Sequence, residues 1–155
     1  MYIHLLMDWR NSDFGLPPLP CACASVRRAA RAVTQMYSRL MADCGIEITQ
    51  LTLMQVMSRV GPLTQKRMGE ILAVDSTTLS RSLRPLEAAA WISSTPGSDR
   101  RERLWTISPT GKRKLHAIEP VWLRAQSELK RTLGQDGWEA MMRTNDAVTG
   151  AALRS

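Results

Sequence analysis

The segment from Ser76 to Ala90 sets hydroxyls and guanidiniums at spacings that a helix would turn to one side. At about 100° per residue, Leu79, Leu83, Leu86 and Ala90 fall within a sector of about 60° that must face a core. Thr77, Arg81, Arg84 and Ala88 take the opposite side, flanked by Thr78 and Ser80, and no acidic group interrupts them before Glu87. Such a face suits the major groove of DNA. An arginine can take guanine O6 and N7 with two hydrogen bonds, and threonine methyls can touch thymine. The same pattern on a lone helix is equally that of a solvated face. Just downstream, Asp99, Arg100, Arg101 and Arg103 place three guanidiniums in a flexible loop, within reach of an adjacent minor groove or of phosphates.

A second group with chemical potential is Cys21-Ala22-Cys23, with Cys44 further on. A thiol at a helix N-terminus near Arg27 and Arg28 would be reactive, which makes a redox switch conceivable. Residues i and i+2 point about 200° apart on a helix, so the bridge would run to Cys44 or to a partner subunit. The plainer reading is that the cysteines are small buried apolar residues. A soft-metal site is the weakest of the three, since His4 and His116 stand far from the pair and no metal-ligand spacing is present. The five tryptophans (Trp9, Trp91, Trp105, Trp122 and Trp138) could line an effector pocket, although such residues are more often core.

The elements that must position these groups follow from periodicity. Residues 1–20 have none and finish in Pro17-Pro18-Leu19-Pro20, which reads as an irregular arm. From Cys21, apolar residues recur at three and four through Val26, Val33, Met36, Tyr37 and Leu40 to Cys44, opposite Arg27, Arg28, Arg31 and Arg39, and Gly45 ends the helix. Thr49 is expected to cap a second helix that closes at Gly61-Pro62. Thr64 caps a short helix, Gln65 to Leu72, and Asp75 or Ser76 caps the next, which runs toward Ala90. Two helices with so short a link outline a helix-turn-helix. Residues 91–95 and 103–107 read as strands flanking a hairpin loop. Ser108 caps a long helix that Pro120 should kink, and Gly134 separates a last helix carrying Trp138, Met141, Met142 and Val148. The fold class expected is mainly α with a small β-hairpin wing.

Charge supports this order. The chain of 155 residues carries 21 Lys+Arg against 14 Asp+Glu, a net of +7. The net is +1 over residues 1–58, +6 over 59–114 and zero over 115–155. A basic centre between neutral flanks is a footprint for a polyanion, here assigned to one helix face and one hairpin loop. A membrane-binding segment would need its apolar face free, and the core requires it here, so no membrane partner is expected. The N-terminus lacks the basic, apolar and small-residue order of a signal peptide, and three cysteines suit a reducing cytoplasm. No phosphate-cradling glycine loop, HExxH or GxSxG occurs, so neither an enzyme nor a cofactor is expected.

The run LTQKRMGEILAVDSTTLSRSLRPLEAAAWI followed by DRRERLWTISPTG resembles the multiple antibiotic resistance regulator (MarR) family of bacterial transcription factors. The resemblance covers about residues 22–150. Its most specific piece is the wing, Asp99-Arg100-Arg101 with Ile107-Ser108 and Gly111 in the family's spacing. Ser108 stands where the family usually has Thr. Pro85 departs from the commonest pattern and is expected to bend the second half of its helix, leaving contacts beyond Arg84 open.

The resemblance implies a homodimer in which helices over 21–44 and 108–153 interlock, while residues 46–107 form the winged helix-turn-helix. Each subunit would read half of a pseudo-palindromic double-stranded operator. Thr77, Thr78, Ser80, Arg81 and Arg84 would enter the major groove and Arg101 the minor groove, with Asp99 orienting the wing arginines through a salt bridge. Such proteins usually repress genes and let go when a small aromatic or anionic effector, a drug or an oxidant arrives. The apolar faces of residues 26–44 and 115–153 support interlocking helices on their own. The rivals are a thiol switch through Cys21, Cys23 and Cys44 within the same family, and a winged-helix module that binds an acidic protein.

Overall fold

A computed structural model describes residues 15–17, 19, 21–97, 99 and 102–154. The chain divides into two units, residues 1–36 and 37–155. The first contains the described part of the arm and most of helix α1 (Ala22–Leu40). Cys21 occupies the N-cap of α1: its carbonyl accepts from Ser25 N–H at 3.1 Å and its Sγ from Ala24 N–H at 3.3 Å. Arg28 Nη1 donates to the Pro17 carbonyl at 2.8 Å, which ties the arm to the first turns of the helix.

The second unit follows the order α2 (Ile48–Val60), β1 (Leu63–Thr64), α3 (Gln65–Leu72), α4 (Ser76–Ala88), β2 (Ile92–Pro96), β3 (Arg103–Ile107) and α5 (Pro109–Ala152). A single 3-10 turn, Ala42–Cys44, precedes α2 and ends at Gly45 in the left-handed region. The strands form an antiparallel sheet in the order β1-β3-β2, with Leu63 opposite Trp105 and Ile92 opposite Ile107. The two-residue strand β1 was not expected, because its only pairing is with β3, some forty residues downstream.

Leu53, Met54 and Met57 from α2, Met68 from α3, and Leu79, Leu83 and Leu86 from α4 pack with Leu63, Ile92, Trp105 and Ile107 into one core. This core fixes α4 against the sheet. Ala90 does not join it. Helix α4 stops at Ala88, and Ala90 takes φ 55° in the left-handed region and is exposed. Trp91 N–H bonds to Leu86 O and Ala90 N–H to Glu87 O, the paired closure that turns a helix into a following strand. The cap of α2 also differs from expectation. Glu47, not Thr49, is the N-cap, and its side chain and that of Gln50 satisfy each other's backbone N–H groups.

Ser108 caps α5 as expected, its Oγ accepting from Gly111 N–H at 3.0 Å and donating to the Ala90 carbonyl at 2.6 Å. Within α5 the backbone leaves helical angles at Gly134 (φ 71°, ψ 170°), while Pro120 keeps them. The bend is therefore at the glycine. Among the described residues, no helix is long and apolar enough to cross a membrane, and no three His, Cys, Asp or Glu side chains gather to hold a metal ion.

Candidate nucleic-acid interface

Helix α4 is built to present one face outward. Leu79, Leu83 and Leu86 are 1%, 1% and 0% exposed, so the opposite side stands in solvent. Asp75 starts the helix: its Oδ1 accepts from the N–H groups of Thr77 (3.0 Å) and Thr78 (2.9 Å), and its Oδ2 from the Thr78 hydroxyl (2.7 Å). These bonds, led by the one from the Thr78 hydroxyl, hold the carboxyl below its ordinary value of 3.8. A carboxylate whose titration point is lowered by folding stabilises the fold above its unfolded titration point and stops doing so as pH falls through the folded one. The stability difference between the wild type and Asp75→Ala is therefore expected to be full at neutral pH and to shrink only below the ordinary aspartate range. Urea unfolding of both proteins from pH 7 down to pH 3 measures it. A difference that instead widens on acidification would contradict the assignment.

The five residues expected to read bases divide into two sets. Thr77, Arg81 and Arg84 are exposed, and neither arginine bonds or pairs with any described residue. Their donors are free to meet a ligand. The hydroxyls of Thr78 and Ser80 are already bonded within the chain. The Thr78 hydroxyl belongs to the cap, and Ser80 Oγ donates to Ser76 O at 2.8 Å and accepts from Gln65 Nε2 at 2.7 Å. The same Gln65 amide donates to Ser76 O at 3.0 Å, so it pins the first turn of α3 to the first turn of α4 and sets their crossing. Sequence reasoning did not single out Gln65. The signal available was its place as the first residue after the Thr64 cap.

At the wing, Arg103 lies 3.9 Å from Glu87 and 5.6 Å from the Trp105 ring centroid, on the strand side and not in the loop. Gly97 N–H to Glu102 O and Glu102 N–H to Asp99 O, both 2.9 Å, close the hairpin. Arg100 and Arg101 lie outside the described residues, and with them the expected salt bridge from Asp99.

The basic excess is spread more widely than one helix face and one loop. Lys66 and Arg67 stand exposed at the start of α3, with Arg67 bonded to Glu70 at 3.0 Å, and Lys112 and Arg113 stand exposed in the first turn of α5. Backbone phosphates are the natural partners of such groups. Lys114 turns inward instead, donating to the Cys44 carbonyl at 2.6 Å and lying 4.9 Å over the Trp91 ring. Arg59 lines a cavity of about 270 Å³ between α2 and α5 with Leu51, Gln55, His116, Glu119 and Trp122.

The tryptophans are therefore not one set. Trp105 is core, Trp91 packs against it, Trp122 borders the α2–α5 cavity, and Trp138 is half-buried. Trp9 lies outside the described residues. Cys21 and Cys23 are exposed and Cys44 is half-buried, and all three are free thiols. Burial as small apolar residues therefore does not describe the first two.

No family model matches the chain. The chain is 24% identical over 115 residues to the HTH-type transcriptional regulator YwoH of Bacillus subtilis (strain 168), covering 74% of this chain and 84% of that protein. Among solved structures, it is similar to the M. tuberculosis transcriptional regulator MosR in complex with DNA, at 28% identity and a TM-score of 0.78. That match covers 86% of this chain and 97% of the other. It shares the fold of E. coli MarR C80S complexed with operator DNA, at 17% identity and a TM-score of 0.73, over 81% and 91% of the two chains.

Proposed function

We propose that the chain is a winged helix-turn-helix protein of the MarR family, a sequence-selective DNA-binding transcriptional regulator that acts as a homodimer. The observation that carries the reading is the outer face of α4, where Arg81 and Arg84 stand exposed, with no partner among the described residues, beside Thr77 on a helix locked to its core. Two free guanidiniums on a rigid helix can each take a guanine edge with two bonds. Lys66, Arg67, Lys112 and Arg113 supply phosphate contacts that fix register. MosR, at 28% identity, is a transcriptional regulator with DNA bound in its structure, which supports the same partner here. Arg101 is assigned to the minor groove by the resemblance of the wing.

Dimerisation is supported by apolar side chains that α1 and α5 leave in solvent: Val26, Leu40, Leu123, Leu133, Met142 and Val148 are each 39–49% exposed. A second copy is the occupant that would bury them, and it would present two α4 helices to the two halves of a pseudo-palindrome. The test is selection of duplexes from a randomised pool by the purified protein, followed by sedimentation of the complex. A recovered two-fold repeat bound by two chains is the expected result. Recovery of no preferred sequence at any salt concentration would end the reading and favour a protein-interaction module.

Within this function the regulator acts as a repressor that a small aromatic or anionic effector releases. The cavity between α2 and α5 supports such a site, with Arg59 as its cation and Trp122, Leu51 and Ile118 as its apolar wall. A second reading, release by thiol oxidation, is favoured by the exposed Cys21 Sγ at the helix N-cap with Cys23 one residue beyond the first helical position. One release assay separates them. Benzoate should free the selected duplex from the wild type and less so from Arg59→Gln. Peroxide should act only if Cys21, Cys23 or Cys44 is present. Equal peroxide release from the triple Cys→Ser variant would end the thiol reading.

A further inference from the structure

Helix α4 carries a proline on its outer side and does not break there. Pro85 is exposed and lies inside an α-helix that runs on to Ala88 and closes with Trp91 N–H on Leu86 O. Its immediate neighbours hold it in place. Leu83 and Leu86 are buried in the core at 1% and 0% exposure, and Glu87 pairs with Arg103 of β3 at 3.9 Å, so this half of the helix is anchored on two sides. Four residues after Arg81, Pro85 is rotated only about 40° from it and lies about 6 Å further along the axis. It therefore stands on the face that presents Thr77, Arg81 and Arg84.

What Pro85 can offer a base pair is narrow. It has no N–H, and its carbonyl already accepts from Ala89 N–H at 3.0 Å. What remains is the ring, an apolar surface of three methylenes. The major groove presents one apolar mark, the C5-methyl of thymine. We propose that Pro85 is a specificity-determining residue whose ring packs on a thymine methyl in each half-site, within two base pairs of the guanine taken by Arg81. The separation follows from the rise of about 6 Å between the two residues against about 3.4 Å per base pair. The proposal rests on the DNA-reading function above and adds to it the identity of a base.

The test uses the duplex that the full-length wild-type protein selects from a randomised pool. Each thymine is replaced singly by deoxyuridine, which removes the methyl and nothing else. The wild type should lose about fourfold in affinity at one thymine per half-site, the loss expected for one apolar carbon withdrawn from contact. Pro85→Ala should bind the thymine and deoxyuridine forms of that position equally. Pro85→Val regains the N–H yet keeps a branched apolar surface, so it should keep the discrimination. A wild-type scan with no methyl-sensitive thymine near the Arg81 guanine would overturn the proposal, and so would a Pro85→Ala protein that still discriminates. Loss of discrimination in Pro85→Val as complete as in Pro85→Ala would show a backbone effect and overturn it as well. Failure to select any duplex would remove the DNA-reading premise itself, a result distinct from all of these.

Discussion

Replacing Gly111 by alanine is expected to lower the melting temperature by about 6–12 °C, although the change adds a single methyl to a helix that favours alanine. A Cβ at this position would lie 2.0 Å from the Trp91 carbonyl oxygen and 2.9 Å from Ile107 Cγ1. The oxygen cannot step aside. It accepts from Ser108 N–H at 3.0 Å, and Ser108 also caps α5 and bonds to Ala90 O. The helix start, the end of α4 and the first residue before β2 meet within this cluster, so the added methyl must separate all three. Overpacking of a well-packed site costs about 1–3 kcal/mol, and contact with backbone puts this case at the upper end. For a chain of this size about 3 kcal/mol corresponds to the stated shift. Calorimetry of the two proteins checks it, and an unchanged melting temperature would mean that α5 does not approach Trp91 this closely.

Arg81→Ala should weaken binding to the selected operator by about 2–6 kcal/mol, or about 30-fold to 10⁴-fold. The figure is that of one bidentate guanine contact, about 1–3 kcal/mol, counted in each of two half-sites. The helix itself should be untouched, since the Arg81 side chain bonds to no described residue and alanine is the best helix former. Binding to unrelated sequence should change little, because that binding depends on phosphate contacts. Thr78→Val and Ser80→Ala should behave differently. Their hydroxyls serve the cap and the Gln65 link, so their loss acts through stability and helix placement more than through a base contact.

How much of this was legible in the sequence depended on how local the physics was. Thr64, Asp75 and Ser108 were identifiable as caps because a short oxygen-bearing side chain satisfies the N–H two or three residues on, a relation contained in a few positions. The buried stripe of α4 was legible for the same reason through Leu86. Its end was not. Helices α3 and α4 both close on an alanine in the left-handed region, Ala73 at φ 52° and Ala90 at φ 55°, where glycine is the usual marker. Without that marker, the apolar period in the sequence runs on through Ala90. Strand β1 escaped because two residues carry no alternation, and only their pairing with Leu104 and Trp105 makes them a strand.

The candidate interface divided along the same line. Residue types placed Arg81, Arg84 and three hydroxyls on one helix, but type and angle alone cannot tell a free hydroxyl from one already bonded. Thr77 was distinguished from Thr78 and Ser80 only by the partners at Asp75 and Gln65. Charge counting had the same limit. Lys114 entered the basic total of the central segment, yet its ammonium is spent on the Cys44 carbonyl and the Trp91 ring.

On DNA, the free face of α4 reads base edges while the surrounding cations hold phosphates. Fluorescence anisotropy on the selected duplex and a scrambled duplex of equal length, for wild type and Arg81→Ala across about 50 to 300 mM salt, tests it most directly. The wild type should show parallel, steeply falling lines for the two duplexes, separated by a constant affinity gap. Arg81→Ala should keep the salt slope and close most of the gap. Equal affinity of the wild type for both duplexes, or a gap that Arg81→Ala leaves untouched, would contradict it.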